Sequence, residues 1–335
     1  MKDKKILFCF GTRPEWLKIK PILSLLNRDS YKLLFTGQHE DLLNNIQFDY
    51  KIKIGDVSPN RLNSIISECL SQFPTDDTFN SILVQGDTAS AYACALAGFH
   101  NKLKIYYLEA GLRSHDLDNP YPEEAYRQMI ARVSNINFCP TILSETNLKN
   151  EIVMGTTHIT GNTSLDNLLS YKSECEYQNK VLVTLHRREN HDTIEEWFTE
   201  LNQIAEKYKE LDFILPIHPN PNVYRHKHLL TNVTVVSPMP HEELLKLLTK
   251  VKFIISDSGG IQEEASFFNK KVIVCRKTTE RPEGLDTGHL ILCESPKELS
   301  SMVDKLNFNY YINIPSPYGD GYASHKIVEI LNENF

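Results

Sequence analysis

The chain has 335 residues, of which 41% are hydrophobic and 24% charged, and its 36 Lys plus Arg against 43 Asp plus Glu give a formal net charge of -7. That length suits two domains that each bury their own core, and the negative balance offers no general attraction to nucleic acid, so an anionic ligand must be held by local groups. No apolar run is long enough to span a membrane, no secretory leader precedes the first apolar run, and the seven cysteines are scattered without paired metal spacing. The expectation is a cytoplasmic protein with no membrane partner, no bound metal and reduced core cysteines.

In chain order, short apolar runs alternate with helix-like stretches at 5–10, 32–35, 81–84, 104–108 and 136–139, and again at 180–185, 212–215, 233–236, 252–255 and 271–275. Both halves read as α/β, each a Rossmann-like doubly wound parallel sheet with crossover helices. The polar segment 170–179 marks the expected start of the second domain, which gives domains 1–168 and 169–335. A last amphipathic helix, about 322–335, has no further strand to serve and is expected to pack back across the N-terminal domain.

Polar motifs follow the strands closely. Gly11-Thr12-Arg13-Pro14-Glu15, Gln85-Gly86-Asp87-Thr88, Glu109-Ala110-Gly111-Leu112-Arg113, His186-Arg187-Arg188-Glu189 and His218-Pro219-Asn220 all stand at strand ends. Open α/β sheets bind ligands outside the carboxyl ends of their strands, and two such sheets facing one another would pool these motifs in one cleft. The run Phe253-Ile254-Ile255-Ser256-Asp257-Ser258-Gly259-Gly260 joins a strand to a helix through Ser-Gly-Gly. Unpaired amides at a helix start carry partial positive charge and can approach a phosphate where glycine leaves no side chain in the way. Glu264, one turn further on, can accept from ribose hydroxyls. A nucleotide is the natural reading. Neither a Gly-x-Gly-x-x-Gly fingerprint nor a Gly-x-x-x-x-Gly-Lys loop occurs, so NAD is not indicated and no cofactor is expected.

These motifs, together with Pro122-Glu123-Glu124-Ala125, Gly161-Asn162-Thr163 and Thr278-Thr279-Glu280-Arg281-Pro282-Glu283-Gly284, run in order along nearly the whole chain. In this the sequence resembles the non-hydrolysing UDP-N-acetylglucosamine 2-epimerases. The resemblance implies the glycosyltransferase-B architecture of two Rossmann-like domains, a homodimer, and a UDP-sugar as substrate. It implies that Ser258, Gly259 and Gly260 hold the diphosphate, Glu264 the ribose, and that Arg13, Lys18, His186, Arg187 and Arg281 help bind the nucleotide. It puts Asp87, Glu109, Glu123 and His218 around the sugar as acid, base and charge-stabilising groups. The chemistry asks for such a set. The C2 hydrogen of a UDP-sugar is not adjacent to a carbonyl, so loss of the anomeric UDP must assist its removal. Elimination gives a 2-acetamidoglucal, and re-addition of UDP with protonation on the other face gives the epimer.

Each residue also has a plainer reading. Asp87 can cap the helix starting near Thr88, Glu109 can pair with Arg113, and Glu123 and Glu124 can be solvated first-turn acids. His218 can bond only to backbone, and Arg187 and Arg188 can form surface ion pairs. The rival functions are a 2-epimerase of another UDP-2-acetamido sugar, including a 6-deoxy one, a glycosyltransferase, a hydrolysing epimerase, and a non-catalytic UDP-sugar sensor. Two departures from the family stand out. Glu40-Asp41 follows Gly37-Gln38-His39 where activated members have a basic residue, and 51–80 lacks a Gly-Gln pair, so regulation by a second UDP-sugar is expected to be weak or absent. Tyr126 stands where Asn is common, which leaves the sugar specificity open.

Overall fold

The structure, a computed structural model, describes residues 5–38, 46–56 and 58–334. It divides into two compact units, Met1–Asn167 with Gly321–Phe335, and Leu168–Asp320. Glu40 and Asp41, on which the expectation about a second UDP-sugar rests, lie outside the described residues.

In the first unit, β1 (Lys5–Phe10), β2 (Tyr31–Phe35), β3 (Tyr50–Lys51), β4 (Phe79–Gln85), β5 (Lys104–Leu108), β6 (Ile136–Cys139) and β7 (Thr156–Ile159) form one parallel sheet in the order β3-β2-β1-β4-β5-β6-β7. Helices α1 (Arg13–Leu25), α2 (Arg61–Ser71), α3 (Ala89–His100), α4 (Glu123–Val133) and α5 (Ile142–Asn150) belong to the same unit. The strands are apolar on both faces because helices cover both. Alternate residues divide between two cores: Leu7, Cys9, Val84 and Tyr107 join the layer with α3 and α4, while Phe8, Phe10, Leu83 and Leu108 join the layer with α1. The order reverses at β1, between β2 and β4. At such a switch point the two flanking crossovers depart to opposite faces and leave a crevice at the carboxyl ends.

The second unit repeats this design. Its strands β8 (Lys180–Thr184), β9 (Asp212–Pro216), β10 (Thr234–Val236), β11 (Phe253–Ser256), β12 (Val272–Val274) and β13 (Leu290–Leu292) are all parallel, in the order β10-β9-β8-β11-β12-β13. Its helices are α6 (Ile194–Lys207), α7 (Pro221–Tyr224), α8 (His241–Lys250), α9 (Gly259–Phe267), α10 (Glu283–Asp286) and α11 (Leu299–Phe308). Helix α6 shows why these segments pack as they do. Its buried residues Ile194, Trp197, Phe198, Leu201, Ile204 and Ala205 recur at helical spacing, while Glu195 and Glu196 occupy the first turn, where acids complement the dipole. Burying each large side chain of that stripe contributes about 1.5–3 kcal/mol.

The last helix, α12 (Ala323–Glu333), belongs to the first unit. Ile327 and Leu331 are buried in the same layer as Ile19 and Ile22 of α1. The start of α12 is held by Asp166, whose carboxylate accepts from the amides of Ala323 at 3.1 Å and Ser324 at 2.6 Å.

Three strands have no counterpart among the apolar runs of the sequence: β3, β7 and β13. All three are sheet edges. The first is two residues long, and β7 reads Thr-Thr-His-Ile, so neither offers an apolar run. The β7 strand is partly exposed and needs little hydrophobicity, whereas β13 reads Leu-Ile-Leu, an apolar run of only three residues.

Candidate functional site

In the N-terminal unit the chemistry collects where β1, β4 and β5 end. Thr12 caps α1 in a capping box with Glu15. Glu15 is buried and accepts from the amides of Gly11 at 2.8 Å and Thr12 at 2.7 Å and from the Thr88 hydroxyl at 2.6 Å. Burial pushes its carboxyl above the ordinary value, against these hydrogen bonds, which work to lower it. Glu15 thereby ties the β1–α1 turn to the β4–α3 turn. A side chain on Gly11 would strike Thr36 Oγ1 at 2.2 Å and Ser90 Oγ at 2.4 Å, so only glycine lets the two turns approach.

Glu109 is the hub. It sits just past β5 with φ of 64°, a left-handed backbone that costs a non-glycine residue about 1–3 kcal/mol. Its Oε2 accepts from both Lys18 and Gln85, and Asn162 Nδ2 stands 3.5 Å from Oε1. The same Oε2 is 3.8 Å from where a Gly86 side chain would begin, next door to Asp87. Asp87 is paired with Arg127, Nε at 2.8 Å and Nη2 at 2.7 Å. Arg127 also faces Glu124 at 3.4 Å, and Glu124 accepts from the Ser114 amide at 2.9 Å and from Gln128 at 3.0 Å. Burial works to raise the Glu124 carboxyl, yet these donors and the nearby Arg127 and Arg113 charges hold it below the ordinary value. Glu123 opens α4, and its Oε2 is buried with no hydrogen-bond partner among the described residues.

These contacts bear on the plainer readings of the same residues. Thr88, not Asp87, caps α3, accepting from the Ala91 amide at 3.0 Å. Arg113 grips Glu151 through Nε at 2.6 Å and Nη2 at 2.9 Å, which leaves Glu109 to Lys18 and Gln85. Arg13 is exposed in the first turn of α1 and makes no ion pair among the described residues. Tyr126 is buried and stacks on Tyr92, with centroids 5.0 Å apart and planes within 9°, so its ring is a packing element between α3 and α4.

In the C-terminal unit, Thr184, His186, Pro216, Ile217, His218, Pro238, Met239, His241, Ser258, Gly260 and Glu264 line a cavity of about 300 Å³. Its walls are mostly apolar with few polar groups, the pattern of a small-molecule site. Ser258 is the N-cap residue of α9, but its hydroxyl makes no capping hydrogen bond. A side chain on Gly260 would meet nothing within 4 Å, so the helix start is open on that side; one on Gly259 would meet Arg281 Nη1 at 2.8 Å. The Arg281 guanidinium is anchored on Glu263 at 2.5 Å and lies against the helix start. A helix N-terminus with an arginine beside it is a place where an anion can be held, although this arginine is already paired with Glu263 and Glu280. Glu264 Oε1 lies 2.9 Å from His241 Nε2 and accepts from its N–H. His186 and His218 stack with centroids 5.2 Å apart and planes within 12°. His218 Nδ1 accepts from the Asn220 amide at 3.1 Å, so the backbone bond foreseen as its plainer reading is present, and the ring still lines the cavity. The side chains of Arg187 and Arg188 are exposed and make no ion pair among the described residues.

Glu15, Gln85 and Arg127 carry this geometry and were not singled out from the sequence; nor was Asp257, whose Oδ2 accepts from the amides of His186 and Arg187 at 2.8 Å. The Thr12-x-x-Glu15 spacing is a legible signal for the first. Among the described residues, no His, Cys, Asp and Glu group could hold a metal ion, and no helix is long and apolar enough to cross a membrane.

The family model described as UDP-N-acetylglucosamine 2-epimerase matches residues 25–332. The UDP-N-acetylglucosamine 2-epimerase of Campylobacter jejuni is 36% identical over 98% of this chain and 97% of the relative. The crystal structure of UDP-GlcNAc 2-epimerase from Neisseria meningitidis bound to UDP-GlcNAc matches with a TM-score of 0.84 and 35% identity, over 98% of this chain and 100% of that one. The Methanocaldococcus jannaschii enzyme, in complex with UDP-GlcNAc and UDP, matches with a TM-score of 0.76 and 28% identity over 99% and 100%. A full-length match of this kind, over a pair of doubly wound parallel sheets carrying the site residues described above, means that the chain belongs to the UDP-N-acetylglucosamine 2-epimerase family.

Proposed function

We propose that this protein interconverts UDP-N-acetylglucosamine and UDP-N-acetylmannosamine by eliminating UDP to a 2-acetamidoglucal and adding it back. In this reading the C-terminal unit holds the UDP: the amides after Ser258 and the Arg281 guanidinium take the diphosphate, Glu264 the ribose, and the apolar wall at Pro216, Ile217 and Met239 the base. Arg13, Lys18, His186 and Arg187 assist in binding. Asp87, Glu109, Glu123 and His218 serve the sugar. The observation that carries the reading is the treatment of Glu109, a carboxylate held in a left-handed backbone at a strand end between Lys18 and Gln85. Strain of that kind at a strand tip supports a reactive rather than a packing role.

The reaction needs a base at C2, an acid for the opposite face, and negative charge near the anomeric carbon as the UDP departs. Three carboxylates meet that need: Asp87 paired with Arg127, Glu109 with Lys18, and Glu123 with one oxygen unpartnered. Homodimer formation and a cytoplasmic setting belong to the same proposal, on the strength of the family resemblance and of seven cysteines that are all free.

The test is incubation of the protein with UDP-N-acetylglucosamine, and separately with other UDP-2-acetamido sugars, in deuterated water without an acceptor, following C2 by NMR. Deuterium at C2 in an intact UDP-sugar is the expected result. Release of free sugar, a requirement for an acceptor, or no exchange with any of them would defeat it.

A further inference from the structure

Behind the cavity of the C-terminal unit stands a carboxylate that the reaction scheme does not use. Asp257 is wholly buried. Its Oδ2 accepts from the backbone amides of His186 and Arg187, both at 2.8 Å, and from Asn190 Nδ2 at 3.1 Å. Asn190 Nδ2 also donates to the carbonyl of Cys275 at 2.9 Å, which fastens the turn after β8 to the end of β12. The other oxygen, Oδ1, is buried without a hydrogen-bond partner. Nδ1 of His186 lies 3.5 Å from it.

We propose that Asp257 is a positioning residue: its Oδ1 fixes His186 as the Nδ1–H tautomer, presents Nε2 to the diphosphate of a nucleotide sugar in the cavity, and stabilises the imidazolium when Nε2 takes up a proton. This rests on the nucleotide-sugar reading of the cavity. Three observations carry it. A buried acceptor with no donor costs about 1–3 kcal/mol, more when it is charged, and a movement of a few tenths of an ångström brings the His186 ring N–H into hydrogen-bond range. The main chain of His186 is already held by the same carboxylate, which fixes the point from which the ring swings and leaves rotation about its side-chain bonds. The parallel stack on His218 limits that rotation to a flip, and the flip would turn a ring carbon toward the anion and leave Oδ1 unpaired. The opposite tautomer would aim a lone pair at the carboxylate.

The charges facing His186 come from several elements. Burial works to hold its imidazole below the ordinary value, Asp257 opposes this, and His218, Arg187 and His191 add to it. His191 Nε2 is 3.1 Å from the His186 carbonyl, so its direct contact is with the backbone and its effect on the ring is through charge alone. Asp257 is therefore the group that favours protonation at this ring.

The experiment uses the full chain labelled with 15N-histidine, with a His186→Gln variant to assign the signal. In the wild type, His186 should report Nδ1–H when neutral. In Asp257→Asn, one amide oxygen can still accept from the three N–H donors, while the amide NH₂ faces the ring and demands an acceptor at Nδ1; the tautomer should change to Nε2–H. For exchange at C2, kcat should fall about 10²- to 10⁴-fold, with KM for the UDP-sugar and affinity for UDP within about 3-fold of wild type. The acid limb of the pH profile should move to lower pH, since the group that favours His186 protonation is gone. An Nε2–H tautomer in the wild type would overturn the proposal, and so would an unchanged tautomer or an unchanged kcat in Asp257→Asn. An equal loss of kcat, UDP affinity and thermal stability with the tautomer retained would also overturn it, as the mark of a purely structural carboxylate. Should Asp257→Asn fail to fold, the wild-type tautomer and its response to added UDP decide the matter. A wild type that exchanges C2 of no UDP-sugar defeats the epimerase reading, while the tautomer and a 31P titration with UDP still judge Asp257.

Discussion

Arg127 reaches Asp87 with two nitrogens, at 2.8 and 2.7 Å, and with its third stands 3.4 Å from the wholly buried Glu124. One guanidinium thus balances an acid at the strand tip and an acid inside the helix layer. Removing it leaves Asp87 without its cation and takes from Glu124 one of the two positive charges near it.

Arg127→Ala should therefore destabilise the N-terminal unit by about 3–5 kcal/mol, the range for breaking a buried pair by removing one partner. Arg127→Lys should recover only part of this, since an ammonium cannot span two carboxylates as a planar fork does. Urea unfolding is the measurement. A loss below about 1 kcal/mol in Arg127→Ala would show that water reaches these acids readily.

Two glycines should separate stability from binding. Gly111 has φ of 87°, and a side chain there would lie 2.1 Å from the backbone oxygen of Ser144. Gly111→Ala should lose several kcal/mol, on the order of 3 or more, because backbone must move to admit it. Gly260→Ala meets nothing within 4 Å, so its melting temperature should stay or rise slightly while UDP affinity falls about 10-fold or more. Calorimetric titration with UDP reads the second effect. Unchanged UDP affinity in Gly260→Ala would move the diphosphate away from the start of α9.

The carboxylates should lose rate and keep the nucleotide. Asp87→Asn, Glu109→Gln and Glu123→Gln should each slow C2 exchange by about 10²-fold or more, with UDP affinity within about 3-fold of wild type. Glu264→Ala should do the reverse in kind, weakening UDP with a smaller effect at saturation. A Glu109→Gln enzyme of normal rate would return Glu109 to a purely structural role.

Stability should depend on pH through His289. This ring is buried, with Nδ1 2.8 Å from the Thr287 hydroxyl, and burial holds it below its ordinary value of 6.5. The unfolded chain takes up the proton below about 6.5 and the folded chain only at lower pH, so stability is full above that value and declines as pH falls through the window beneath it. His186, also held low by burial, acts in the same direction. His289→Leu should flatten the slope of unfolding free energy between pH 7 and about 5.5 without abolishing it. An identical slope in the two proteins would assign the effect elsewhere.

Much of this was legible in the residues themselves. The apolar runs at 5–10, 104–108, 136–139 and 212–215 all lie in strands, because a strand covered on both faces must be apolar throughout. The Ser-Gly-Gly junction announced a helix start that an anion can approach, because glycine and an N-terminus have the same consequence in any fold. The class of fold and the family were determined at that level. The tertiary structure decided the partners. That Glu109 binds Lys18 and Gln85 rather than Arg113, that Asp87 belongs to Arg127 rather than to the cap of α3, and that Asp257 lies against His186 are all contacts between residues distant in the chain. A carboxylate's own sequence neighbours fix its residue type and its strand end, while its partner is set by which strands lie side by side and by the cost of leaving a buried charge unanswered.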